Sequence, residues 1–168
     1  MTPLHVDGDI EACIRSEYRR LVGAVTLVTG SVTTAEDAVQ EAFARAWERS
    51  RRGEVFTHLA GWVATVALNE ARGGHRRRRT EERALVRVAG RPSEDTSVDA
   101  VPTRVALHAA VAALSSRQRD VVVLHHLLDV DVATTANLLG VSEGTVKSAL
   151  HRARAHLAEA LTEREEMA

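Results

Sequence analysis

The chain has 168 residues, a formal net charge of −1 and 3 % aromatic residues, which leaves room for one domain or two small ones. Its alanine, valine, leucine and arginine content favours helices packed through small and aliphatic side chains, so an all-α fold is expected. The single Cys13 excludes an internal disulfide and a cysteine-based zinc site, and no run approaches the ~18 apolar residues of a membrane span; a chain of the reducing cytoplasm is expected, neither secreted nor membrane-inserted by its own signals.

In chain order, Asp7 or Asp9 can cap a first helix carrying Ile10, Ile14, Tyr18, Leu21, Val22, Val25 and Val28, which should stop near Gly30 and reads as core. Thr33 and Glu36 then have capping-box spacing. After them Ala35, Ala38, Val39, Ala42, Phe43, Ala46 and Trp47 keep to one helical face without interruption. The opposite face holds Asp37, Gln40, Glu41, Arg45 and Glu48. From these residues alone a solvated surface is the simpler account and a docking face for a partner helix the sharper one.

Gly53 ends that helix, and residues 54–61 have no clear period and read as a loop. A third helix begins near residues 59–62, with Val63, Val66 and Ala67 inward and Thr65, Leu68, Arg72, His75 and Arg76 on the other side. Residues 72–87 carry a local balance of +5. A basic edge beside a loop with Phe56 and His58 suits melted or single-stranded nucleic acid, where cations track the backbone and pockets hold unstacked bases. An arginine run also serves as a solvated tail or a signal for another polyanion.

Residues 89–103 combine prolines, serines, threonines and acids, and residues 93–103 balance to −3; this is linker composition. Some 15 extended residues reach at most about 50 Å, comparable to about 15 base pairs of duplex. The two halves can therefore contact one DNA molecule at separated sites.

A short helix at 105–114 follows, and Ser115 with Gln118 forms another capping-box spacing ahead of residues 119–129. His125 and His126 are adjacent and diverge on a helix, so they read as core-edge or surface residues rather than metal ligands. Residues 131–157 then read as two helices joined by a turn. Val132, Ala136 and Leu139 form the stripe of the first, Gly140 ends it, and Ser142 caps the second. Val146, Ala149, Leu150, Ala153 and Leu157 mark the buried face of the second helix. Gly144, Lys147, Ser148, His151 and Arg152 fall outward, a small, polar and basic surface of the kind a helix needs in the major groove. The stretch resembles a DNA-binding helix-turn-helix, although an ordinary helical hairpin uses the same periodicity and glycine. The charged tail TEREEMA should fray.

Taken together, AEDAVQEAFARAW at 35–47, WVATVALNEARGGHRR at 62–77, LSSRQRDVVVL at 114–124 and GVSEGTVKSALHRAR at 140–154 make the chain resemble a bacterial sigma factor of the extracytoplasmic-function (ECF) group, over residues 11–161. The resemblance implies two small helical domains, sigma region 2 in residues 1–88 and sigma region 4 in 105–168, joined by an acidic linker at 89–104. It implies core RNA polymerase as partner, through the β′ clamp helices and the β flap, with Asp37, Gln40, Glu41, Arg45 and Glu48 as contacts around Phe43 and Trp47. Promoter DNA is the second implied partner. The −10 element would be read by Phe56, His58, Thr65, Asn69, Arg72, His75 and Arg76, with one base flipped into a loop pocket. The −35 element would be read by Ser142, Glu143, Thr145, Ser148 and His151, with Lys147, Arg152 and Arg154 on phosphates. An anti-sigma factor packed against both halves is a further implied partner. No cofactor, metal or catalytic residue is implied.

Two departures from the family pattern carry expectations. Gly73 and Gly74, each costing about 1 kcal/mol in a helix relative to alanine, predict an end or bend before His75. Thr134, Thr135 and Asn137 replace commoner acidic and bulky apolar residues, predicting weaker packing in the first helix of the helix-turn-helix. Two other function classes fit less well. A conventional operator-binding regulator is opposed by the asymmetric layout and the lack of a ligand domain. An enzyme lacks any Gly-rich phosphate loop, metal-ligand spacing or nucleophile motif.

Overall fold

A computed structural model describes residues 6–85 and 102–165, with side chains at 9–73, 105–160 and 162. The described residues form seven α-helices and one π-helical turn: α1 Val6–Thr29, α2 Val32–Arg51, α3 Leu59–Leu85, α4 Pro102–Ala113, α5 Ser116–Val122 continuing into the π-turn Val123–Leu127, α6 Val132–Leu139 and α7 Glu143–Glu165. The linker expectation for 89–103 lies outside the described residues except for the start of α4.

The first three helices pack on one another. Only Gly30 and Ser31 separate α1 from α2, and Gly30 takes the left-handed conformation, φ 74°, that lets the chain reverse. Ser31, not Thr33, caps α2: its hydroxyl accepts the Thr34 N–H at 3.2 Å, because the helix propagates back to Val32 once a serine stands before it. The predicted inner face of α2 is inside. Ala35, Ala38, Val39, Ala42, Phe43 and Ala46 are buried and Trp47 is half-buried. Its run of alanines lets neighbouring helices approach closely, while Leu21, Val25, Val39, Phe43 and Val63 fill the space between. Each such fully buried large side chain contributes roughly 1.5–3 kcal/mol.

The third helix corrects two expectations. Its buried face is Val63, Ala64, Ala67, Leu68 and Ala71, so Leu68, expected outward, is in the core, and Val66, expected inward, is half-buried. The apolar stripe is one residue wider than the pattern read from Val63, Val66 and Ala67. The helix also runs through Gly73 and Gly74 to Leu85 without an end. A propensity loss of about 1 kcal/mol at each glycine does not stop a helix already nucleated by a buried face, since propagation adds a hydrogen bond for each residue fixed.

In the second half, α7 is the hub, with α4, α5 and α6 packed around it. Ser115 and Gln118 make the full predicted capping box, with the Ser115 hydroxyl accepting the Gln118 N–H and the Gln118 side chain accepting the Ser115 N–H. Asp131 caps α6, a role the sequence reading did not give it. Gly140 adopts φ 63° at the turn, and the Ser142 hydroxyl accepts the Thr145 N–H at 3.2 Å at the start of α7. Thr135, expected to weaken packing, is fully buried and donates its hydroxyl to the Val130 carbonyl at 3.5 Å. The C-terminal helix extends through Glu165, four residues into the tail expected to fray.

The halves share a core. Val123, Leu124, Leu128 and Val130 are buried in the same apolar cluster as α1, α2 and α3, and Leu138 and Leu139 pack against its edge.

Candidate nucleic-acid and partner interfaces

On α2 the caps and the alanine face turn Asp37, Gln40, Glu41, Arg45 and Glu48 outward, and all five are exposed. The Arg45 guanidinium holds Glu41 at 3.0 Å and reaches across to Glu70 on α3 at 2.7 Å. Those hydrogen bonds, Glu41 first, raise its pKa. Gln40 donates to the Tyr18 hydroxyl at 3.2 Å. This face is a row of preformed polar groups on a rigid helix. Phe43, grouped with these contacts, is buried beneath them and supports the helix from inside, while Trp47 is part-exposed at its edge.

The loop between α2 and α3 is organised by aromatic and cationic packing. Phe56 lies 4.8 Å from Trp62 between ring centroids, and the Arg49 guanidinium sits 5.4 Å over the Trp62 ring. His58 Nδ1 accepts the Gly61 N–H at 3.0 Å and so caps α3. With Phe56 half-buried against Trp62, the most exposed apolar group of the loop is Val55, at 77 %. The sequence reading missed it because a single valine in an aperiodic stretch carries no pattern. Along α3, Thr65 bonds back to the Gly61 carbonyl at 2.9 Å, and Asn69 accepts from Arg72 at 3.2 Å. Arg72 also pairs with Asp120 of α5. His75 and Arg76 lie within α3, but their side chains are outside the described residues.

The outward face of α7 is as expected. Ser142, Glu143, Gly144, Thr145, Lys147, Ser148, His151, Arg152 and Arg154 are all exposed, above a buried face of Val146, Ala149, Leu150 and Ala153. Lys147 contacts Glu143 one turn back at 3.5 Å. Ser142, Thr145, Ser148 and Arg152 line a cleft whose other wall is Ser115, Arg117 and Gln118 at the start of α5. Ser115 and Arg117 were not singled out from sequence as part of this surface; only the fold of α5 against α7 brings them there. Arg117 is tethered to the Leu139 carbonyl at the end of α6, at 3.4 Å. Arg154 lies on a different flank, where its charge, after burial and His125, helps hold the His126 pKa below its ordinary value.

Among the described residues no group of three His, Cys, Asp or Glu side chains is placed to hold a metal ion, and no helix is long and apolar enough to cross a membrane. Cys13 is half-buried and its thiol is pushed up to about 11 by burial and by Glu17.

Known proteins share this sequence pattern and fold. The family model for sigma-70 region 2 matches residues 13–81 and that for sigma-70, region 4 matches residues 104–157. The chain is 31 % identical over 157 residues to the RNA polymerase sigma-E factor of Streptomyces coelicolor, covering 94 % of this chain and 88 % of that protein. It is 30 % identical over 160 residues to the ECF RNA polymerase sigma factor SigM of Mycobacterium tuberculosis, covering 94 % and 81 %. The fold matches the sigma factor RpoE of Bartonella quintana, solved in complex with the anti-sigma factor NepR, with a TM-score of 0.70 and 26 % identity over 92 % of this chain and 97 % of that one. It also matches CnrH, solved with the cytosolic domain of CnrY, with a TM-score of 0.65 and 22 % identity over 94 % and 90 %. The chain belongs to the sigma-70 family, in its ECF group, and is a transcription initiation factor that binds core RNA polymerase and directs it to specific promoters.

Proposed function

We propose a division of labour among the three surfaces. Residues 1–88 form region 2, residues 105–168 form region 4, and 89–104 link them. The outward face of α2, through Asp37, Gln40, Glu41, Arg45, Glu48 and the edge of Trp47, docks on the polymerase β′ clamp helices. The loop and the flank of α3, through Phe56, His58, Thr65, Asn69, Arg72, His75 and Arg76, read the −10 element. The α7 face reads the −35 element. The protein works in the cytoplasm by recruitment and catalyses no reaction of its own. An anti-sigma factor is its natural restraint, a reading supported by the complex of the similar sigma factor RpoE with the anti-sigma factor NepR.

One observation carries the DNA assignment. A serine- and threonine-rich N-terminal end of α7 stands exposed over a capped helix, with basic side chains on both walls of the adjoining cleft. Small hydroxyl groups permit close approach to base edges, and Arg117 and Arg152 are placed to neutralise phosphate on either side. The two roles separate under substitution.

The test is transcription with purified core polymerase on a pool of genomic promoter fragments, followed by sequencing of the products. Wild-type protein should produce starts at a fixed distance from shared −35 and −10 motifs. Ser148→Ala and His151→Ala should change the preferred −35 bases, each lost base contact being worth roughly 1–3 kcal/mol of discrimination. Arg152→Ala should weaken all promoters alike. Equal activity of the Ser148 and His151 variants on every promoter would overturn the reading face.

A further inference from the structure

The loop that joins α2 to α3 is pinned at alternate residues. Glu54 is held by Arg49, whose Nη1 donates to its carboxylate at 2.9 Å. Phe56 is half-buried against Trp62, and the same Arg49 covers the Trp62 ring. His58 closes the loop as the N-cap of α3. Its carbonyl accepts the Trp62 N–H at 3.0 Å, the first bond of the helix, and its Nδ1 accepts the Gly61 N–H at 3.0 Å. Because an N–H donates to Nδ1, that nitrogen is bare and the ring's own N–H is Nε2.

An imidazole is bulkier than the serine, threonine, aspartate or asparagine that ordinarily caps a helix, and Gly61 makes the room. A Cβ there would stand 3.0 Å from His58 Nδ1 and 2.7 Å from Leu138 Cδ1. Gly61 has no positive φ, so its backbone does not call for glycine; the close neighbours do. Between the pinned residues lie Val55 and Thr57, both exposed, Val55 at 77 %.

We propose that holding and reading alternate along this loop: Glu54, Phe56 and His58 position it, while Val55 and Thr57 meet the unstacked base. The alternation deepens the assignment of the loop to the −10 element and rests on it. Phe56 and His58 serve −10 reading as positioning residues, since the Phe56 ring and the imidazole acceptor are already engaged inside the protein. A loop fixed before DNA arrives gives up little conformational freedom on binding, so loosening it costs affinity and blurs the choice of base.

The test is in vitro transcription by the full-length protein with core polymerase on a promoter library randomised across the −10 element, with amide hydrogen exchange of residues 59–62 measured alongside. His58→Ala should speed exchange at Gly61 and Trp62 roughly fivefold, the worth of a helix cap, and lower transcription severalfold. His58→Asn, whose side-chain carbonyl takes the same N–H, should recover most of both. Val55→Ser should leave exchange at the wild-type rate and shift the preferred −10 bases. If His58→Asn restores exchange but not transcription, the imidazole itself touches DNA, and its positioning role is overturned while the loop remains the reader. If His58→Ala speeds exchange with no loss of transcription, the assignment of the loop to the −10 element falls instead. Unchanged exchange in His58→Ala would overturn the cap as the hold on the loop, and an unchanged base preference in Val55→Ser would overturn the alternation.

Discussion

Region 2 and region 4 are held together by different means. In region 2, Leu21, Val25, Val39, Val63 and Leu68 are at most 1 % exposed and meet in one cluster. In region 4 the apolar contacts divide into two thin clusters, one of Val121, Ala136, Val146, Ala149 and Leu150 and one of Leu114, Val122 and Ala153. The larger residues of the π-turn and the loop after it face region 2 instead. What region 4 lacks in burial it gains in local backbone devices: a capping box at Ser115, an Asp131 cap, a left-handed Gly140 and a Ser142 cap within 28 residues. Under the proposed division of labour, a module that presents one helix to DNA is fixed by turns and caps, and a module that carries a polymerase-docking helix uses a core.

The comparison breaks most directly at Leu68. Leu68→Ala should cost about 2–5 kcal/mol by removing buried volume from the region 2 cluster, whereas Leu150→Ala, in a site already 7 % exposed, should cost less. Urea unfolding followed by tryptophan fluorescence checks this, because Trp47 and Trp62 both lie in region 2. Equal losses for the two variants would mean that the halves unfold as one cooperative unit and that the difference in their cores has no energetic consequence.

A smaller effect is expected at Gly140. At φ 63° an alanine meets no neighbouring atom within 4 Å, so Gly140→Ala isolates the backbone cost, about 1–2 kcal/mol for the left-handed conformation. Hydrogen exchange should show amides of α6 and α7 losing protection while those of α2 keep theirs. Uniform loss across both halves would show that the turn supports more than region 4.

The buried faces of α2 and α7 were legible because their periods are strict and their outer faces charged. Leu68 was misplaced because its stripe is wider than one residue per turn, and an apolar side chain at the stripe's edge carries no sign of which side it takes. The π-turn at 123–127 was not legible at all: a shift to hydrogen bonding five residues back, as from Leu128 N–H to the Val123 carbonyl at 3.0 Å, leaves the residue types of an α-helix unchanged. Nor was the pairing of Arg72 with Asp120, 48 residues apart, since each reads locally as an ordinary surface charge. The exposed side of α7 was legible from its own period, but the facing wall of the cleft at Ser115 and Arg117 required the packing of α5 on α7.

The smallest effect sharpens the contrast between the caps. Ser31 caps α2 with a hydroxyl that does not titrate, whereas Asp131 caps α6 with a carboxylate that accepts the Thr134 N–H at 2.8 Å and hydroxyl at 2.7 Å. Those bonds, the backbone one first, hold the Asp131 pKa below its ordinary 3.8. A carboxyl whose pKa is lower folded than unfolded binds fewer protons in the native state, so its stabilisation is complete above the unfolded value and is lost as pH falls through the folded one. Acidification from about pH 5 to about pH 2 should therefore fray the start of α6 while the start of α2 keeps its protection, as read by amide chemical shifts. Asp131→Asn keeps an acceptor that does not titrate and should flatten the pH dependence of the α6 amides. If those shifts titrate as before in the variant, the acid sensitivity belongs to another carboxylate, and region 4 does not owe it to its cap.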